Sequence, residues 1–132
     1  MKLRIRGDSV RLRLTQSEVN DIGAGKPVRE STRFINGSSL HYSLEAQHSL
    51  QQIEVQMQDN CLAVKLPTKM ASAWASSQDV AIKYQQPIPG EASEKLFVLI
   101  EKDFTCLKVR ENETEDESNM FVNPNSHKGS CG

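Results

Sequence analysis

The chain is poor in the residues that usually announce chemistry. Cysteine occurs three times in 132 residues, at positions 61, 106 and 131. That is too few and too scattered for the disulfide framework of a small secreted domain, so reduced thiols are expected. No Cys-x-x-Cys pair is present, and that pair is what makes a zinc motif specific. The longest purely apolar run is five residues, Leu96 to Ile100, whereas a membrane-spanning helix needs about twenty. The opening residues alternate Lys2, Arg4 and Arg6 with Leu3 and Ile5. No apolar signal core follows them, so the expected location is the cytoplasm, with no membrane partner. Aromatic residues make up only 5% of the chain, and none is interleaved with the N-terminal arginines. With a sequence pI near 6.3, this argues against nucleic acid as a partner, because domains dedicated to it tend to be basic and to stack bases on aromatics.

What is present is pattern and charge asymmetry. The formal net charge is −1, yet residues 1–33 hold eight basic side chains against four acidic ones. Near the other end Glu111, Glu113, Glu115, Asp116 and Glu117 fall within seven residues, with no basic residue among them. Residues 2–6 and 9–14 alternate, with Leu3, Ile5, Val10, Leu12 and Leu14 on one face and Lys2, Arg4, Arg6, Arg11 and Arg13 on the other. Period-two alternation predicts two half-buried strands joined at Gly7-Asp8. Thr15-Gln16-Ser17-Glu18 is a capping box, predicting a short helix that buries Val19 and Ile22 and ends near Gly23 or Gly25. A third strand is expected over Val28 to Phe34. Asn36-Gly37, Asp59-Asn60 and Pro89-Gly90 read as turns.

Shifting the first forty residues by 52 overlays Val10, Leu12 and Leu14 on Leu62, Val64 and Leu66. The same shift sets Thr15 on Pro67 and Ile22 on Trp74. Both stretches read strand, helix start, short helix, strand, and Pro67 is as good a start signal as Thr15. The spacing predicts an internal strand–helix–strand duplication. The fold class expected is α+β and mainly antiparallel. Six to eight strands should form a closed or nearly closed barrel-like sheet with two short helices. Residues 1–110 should make one domain, with 111–132 an acidic connector and C-terminal tail packing back on it.

Two stretches carry a resemblance. Lys2-Leu3-Arg4-Ile5-Arg6 with Arg11-Leu12-Arg13-Leu14-Thr15-Gln16-Ser17-Glu18-Val19, and Glu101-Lys102-Asp103-Phe104-Thr105-Cys106-Leu107 with Phe121-Val122-Asn123-Pro124-Asn125, resemble the two ends of a family of small uncharacterised bacterial proteins. The family has no assigned activity, so the resemblance implies a self-contained domain and no reaction. The strand, Thr15 or Pro67, short helix, strand unit also looks like the building block of swapped-hairpin and related small barrels of bacterial regulators. That likeness bears on fold more than on function.

Four candidate sites follow. The C-terminal stretch groups Asp103, Cys106, Arg110, Asn123, Asn125, His127 and Cys131. Of these Cys106, His127 and Cys131 are of metal-ligand type for zinc or iron, with Asp103, His41 or His48 as a fourth ligand. The bland reading is a buried, inert Cys106 and a tail thiol in solvent. Paired with His127, Cys106 would be a nucleophile, but no helix N-terminus or Gly-rich loop is at hand to activate it. The arginine face, Arg4, Arg6, Arg11 and Arg13 with Lys2, would hold an unidentified protein or anionic ligand, gaining Arg29 or Arg33 if the third strand pairs alongside. Its bland reading is a solvated strand face that discourages edge pairing. With inverted faces, Arg4, Arg6, Arg11, Arg13, Glu54, Lys65, Lys83 and Glu101 would line an anion tunnel, but the Glu-x-Glu-x-Lys signature of tunnel phosphatases is missing. The expected function is a non-catalytic binding or interaction module, the alternative being a metal-binding protein with a Cys/His site in its tail. Oligomeric state is not legible.

Overall fold

The computed structural model describes residues 1–90 and 92–104. Among these the order is β1 (Lys2–Ile5), β2 (Ser9–Leu14), α1 (Gln16–Gly23), β3 (Val28–Arg33), β4 (Ser39–Gln47), β5 (Glu54–Gln58), β6 (Cys61–Pro67), α2 (Thr68–Ala75), β7 (Ala81–Pro87) and β8 (Lys95–Lys102). The α+β class, the strand count and the two short helices agree with the sequence reading.

The closed, mainly antiparallel barrel does not. The strands form two separate four-stranded sheets, ordered β1-β2-β8-β7 and β3-β4-β6-β5. Each has a parallel pair at its centre, β2 with β8 and β4 with β6, flanked by antiparallel hairpins. Alternation tells which side of a strand is buried and is silent about its neighbour. The central partners lie far apart in the chain, so the parallel contacts were invisible locally. Each sheet joins one hairpin from residues 1–52 to one from residues 53–104. Neither half closes a sheet alone.

The local signals placed the elements well. The Thr15 hydroxyl accepts from the Glu18 amide, and the Glu18 carboxylate accepts from the Thr15 amide at 2.9 Å. At Asp59 and Asn60 φ is 51° and 62°, the left-handed pair that a two-residue hairpin between β5 and β6 requires. Elements β1 and β5, β2 and β6, and α1 and α2 each begin 52 residues apart.

The inner faces of both sheets and of both helices share one core, in which Leu12, Leu14, Leu44, Val64, Leu66 and Ile100 are fully buried. Trp74 is buried with them and its ring lies 5.4 Å beneath the Lys102 ammonium, so it packs as core. The helices cross at Gly23 and Ala75, where a β-carbon added to Gly23 would sit 2.5 Å from that of Ala75. These two positions also lie 52 residues apart. Close approach there, and not backbone strain, is what the glycine provides.

Candidate functional site

The hairpin of β1 and β2 turns at Gly7, whose φ of +53° is open to glycine at no steric cost. The register then stacks the basic side chains in rows across the outer face of the first sheet, the face turned away from the core. Lys2 pairs with Arg13 and Arg4 with Arg11. Parallel pairing sets Arg13 beside Glu101, Arg11 beside Leu99 and Ser9 beside Phe97. Strand β7 completes the rows with Ala81, Lys83 and Gln85. With Lys95 at the start of β8, six cations and one carboxylate of the described strands share this face, around Leu99 and a Phe97 that is 53% exposed.

The carboxylate is the centre of the arrangement. Glu101 is only 3% exposed, on the side of the sheet opposite the core. Its Oε1 accepts from Arg11 Nε at 2.8 Å and from Arg13 Nε at 2.7 Å. Arg11 Nη2 is also 2.8 Å from that oxygen, close enough for an ion pair but without a hydrogen bond of its own. Both arginine side chains are just 13% exposed. A buried carboxylate is costly unless paired, and two neighbouring guanidinium groups repel. Each problem is the solution of the other. Arg11 and Arg13 are therefore anchored, not the freely solvated charges of the bland reading. Arg4 sits beside Arg11 in the ladder, and Arg6 follows directly on β1. Arg29 and Arg33 do not join them, because β3 belongs to the second sheet. Lys83 and Phe97 do, through long-range pairings that no local pattern shows.

Of the C-terminal group, Asp103 is described. Its amide donates to the Leu14 carbonyl at 2.8 Å, and its carboxylate lies 3.5 Å from Lys2 Nζ. Cys106, Arg110, Asn123, Asn125, His127 and Cys131 lie outside the described residues. His41 stands on the outer face of the second sheet and His48 follows β4. No group of three or more His, Cys, Asp or Glu side chains suited to a metal occurs among the described residues. One row went unnoticed in the sequence. Ser31 Oγ and His41 Nδ1 are hydrogen-bonded at 2.7 Å, and parallel register sets His41 beside Cys61. The signal for it would have been the β4–β6 pairing.

A cleft of about 460 Å³ between α1, the end of α2 and the end of β8 contains Lys102 and Asp103. Its cation is already committed, donating to the Ser77 carbonyl at 2.8 Å. Elsewhere the Met1 ammonium donates to Glu18 and Glu30, and the Tyr42 hydroxyl donates to the Met1 carbonyl at 3.2 Å. These contacts tie β1 to the helix and to the second sheet. Burial alone would push the Glu18 carboxyl up, but hydrogen bonds from the Met1 ammonium and from Thr15 outweigh it and hold it below the ordinary range. Burial disfavours the Met1 ammonium, and its two carboxylate partners raise its pKa regardless. This cluster serves the fold.

Fold and site define an α+β domain of two mixed sheets with a cationic, carboxylate-braced sheet face. The chain belongs to DUF7009, a family of unknown function, which it matches over residues 1–125. No curated protein and no solved structure matches it. No helix among the described residues is long and apolar enough to cross a membrane.

Proposed function

We propose that the protein is a non-catalytic binding module, and that the outer face of its first sheet takes an extended acidic segment of a partner protein. The observation that carries this is the bracing of Arg11 and Arg13 by the buried Glu101. A guanidinium has five donors, and Glu101 takes up the Nε edge of each. Arginines held in place this way lose little side-chain freedom when a second anion arrives. Lys2 with Arg4, and Arg11 with Arg13, repeat every second residue along two adjacent strands, a spacing of roughly 6.6 Å. An extended peptide presents alternate carboxylates at the same spacing. Leu99 and Phe97 among the cations suit a peptide's mixed side chains.

The 52-residue correspondence supports a second element of this reading, an internal strand–helix–strand duplication whose two halves exchange hairpins. The inner faces have remained alike while the outer faces have diverged. Binding would then be a property of one sheet only.

Fluorescence anisotropy with a labelled peptide of alternating glutamates, beside a DNA duplex, tests the site. The full chain should bind the peptide more tightly than the duplex, less as salt rises, and less when Arg4→Ala and Lys83→Ala are combined. Absence of peptide binding in every full-length form, or binding indifferent to those substitutions, overturns it. Tighter duplex binding would instead make the face a phosphate reader. The metal alternative rests on Cys106, His127 and Cys131, which lie outside the described residues. Elemental analysis of untagged protein beside a Cys131→Ser variant tests that idea separately.

A further inference from the structure

We propose that the acidic segment taken up by the first sheet carries an apolar side chain at the alternate position next to a pair of alternating carboxylates, and that Phe97 is the residue that selects it. This rests on the reading of that face as an acidic-segment site and names the partner's chemistry more closely.

The rows that cross this face differ in charge. Along β2 the outward positions are Arg13, Arg11 and Ser9 in turn. The first two are the guanidinium groups anchored on Glu101. Ser9 is the one uncharged outward residue on the two strands of that hairpin. Parallel pairing sets Phe97 beside Ser9, and β7 sets Gln85 beside Phe97. The row across β2, β8 and β7 is therefore uncharged, with cations only at its margins. Arg6 lies just past β1, where its amide donates to the Ser9 carbonyl at 3.1 Å, and Lys95 lies two residues along β8. An extended segment lying along β2 sets every second side chain over one outward position, roughly 6.6 Å apart. Two such side chains meet Arg13 and Arg11, and the third meets the small Ser9 with the Phe97 ring at its flank. Phe97 is 53% exposed, and Leu99 continues its apolar strip along β8. A third carboxylate here would give up water against an aromatic ring. An apolar side chain would instead cover ring surface that now faces water. Charge complementarity thus sets the acidic pair, and the uncharged row sets what stands next to it.

The test titrates the full chain with three labelled peptides of equal charge, each made in both sequence directions. One has two alternating glutamates and a phenylalanine at the next alternate position. The second has serine in place of that phenylalanine. The third has the phenylalanine moved by one residue, onto the side turned away from the sheet. In one direction the first peptide should bind roughly ten-fold more tightly than the other two. Phe97→Ser should abolish that advantage and leave the serine peptide's affinity unchanged, while Phe97→Leu should keep part of it. Raised salt should weaken all three peptides without closing the gap, because apolar contact is not screened. Equal, measurable affinities for the three overturn the inference and leave the binding face standing; binding of none overturns both. An advantage that survives Phe97→Ser also overturns it, since the apolar contact then lies elsewhere.

Discussion

The two sheets follow one plan and differ in what they carry outside. Both run hairpin, parallel centre, hairpin. On the inside corresponding positions are interchangeable in kind: Leu12 and Leu14 in one, Val64 and Leu66 in the other, all fully buried. On the outside one row of the first sheet reads Lys2, Arg13, Glu101, while its counterpart in the second reads Glu54, Lys65, Glu45. The first concentrates positive charge around one buried acid. The second alternates signs and leaves them in partial exposure. The core constrains only inward positions, so the outward ones are where two equivalent sheets become chemically different.

The sharpest way to break this contrast is to remove its centre. Glu101→Ala leaves two nearly buried guanidinium groups facing each other and should cost about 3–5 kcal/mol. Glu45→Ala in the second sheet should cost at most about 1 kcal/mol. Urea unfolding of both variants measures the difference, and equal losses would mean the sheets are electrostatically alike. Next comes the helix crossing. Gly23→Ala forces two β-carbons together and should cost about 1–3 kcal/mol. Adding Ala75→Gly should restore most of that, as expected of a contact between corresponding positions. A smaller effect separates the two helix starts. Thr15→Ala should cost about 1 kcal/mol by removing a side-chain cap. Pro67, at the start of α2, makes no side-chain cap bond, so Pro67→Ala leaves capping untouched.

The last prediction concerns pH and only the first helix. The folded Glu18 pKa is depressed, so its contribution is present above the ordinary carboxylate value and is lost as pH falls through the folded one. The folded Met1 ammonium pKa is raised, so its contribution is complete below its ordinary value and is lost as pH climbs through the folded one. Stability from this cluster should therefore peak between the two limbs. Glu18→Gln should flatten the acid limb, and an unchanged acid limb in thermal melts of that variant would assign the loss to other carboxylates.

Much of this was legible without coordinates, for a consistent reason. The capping box at Thr15 and Glu18, the Asn36-Gly37 and Asp59-Asn60 turns, and the alternation of Leu12 with Arg13 are short-range effects. They are set by backbone sterics and by which side of a strand must leave water. The offset of 52 was likewise readable, down to Thr15 on Pro67. The arginine face was visible as a stripe, but its bracing was not. Arg13 and Glu101 meet across a parallel ladder, 88 residues apart, and nothing in either strand's own sequence specifies that neighbour. The same gap turned two mixed sheets into an expected barrel.

By itself the amino-acid sequence determined the elements, their buried sides and the positions of the turns, because each depends on contacts within a few residues. Only the tertiary structure decided which strands lie side by side. It thereby put Glu101 between two arginines, Lys83 and Phe97 on their face, and Arg29 and Arg33 on another. Strand pairing is a choice among distant partners with similar edges, made by the shared core both halves must bury together.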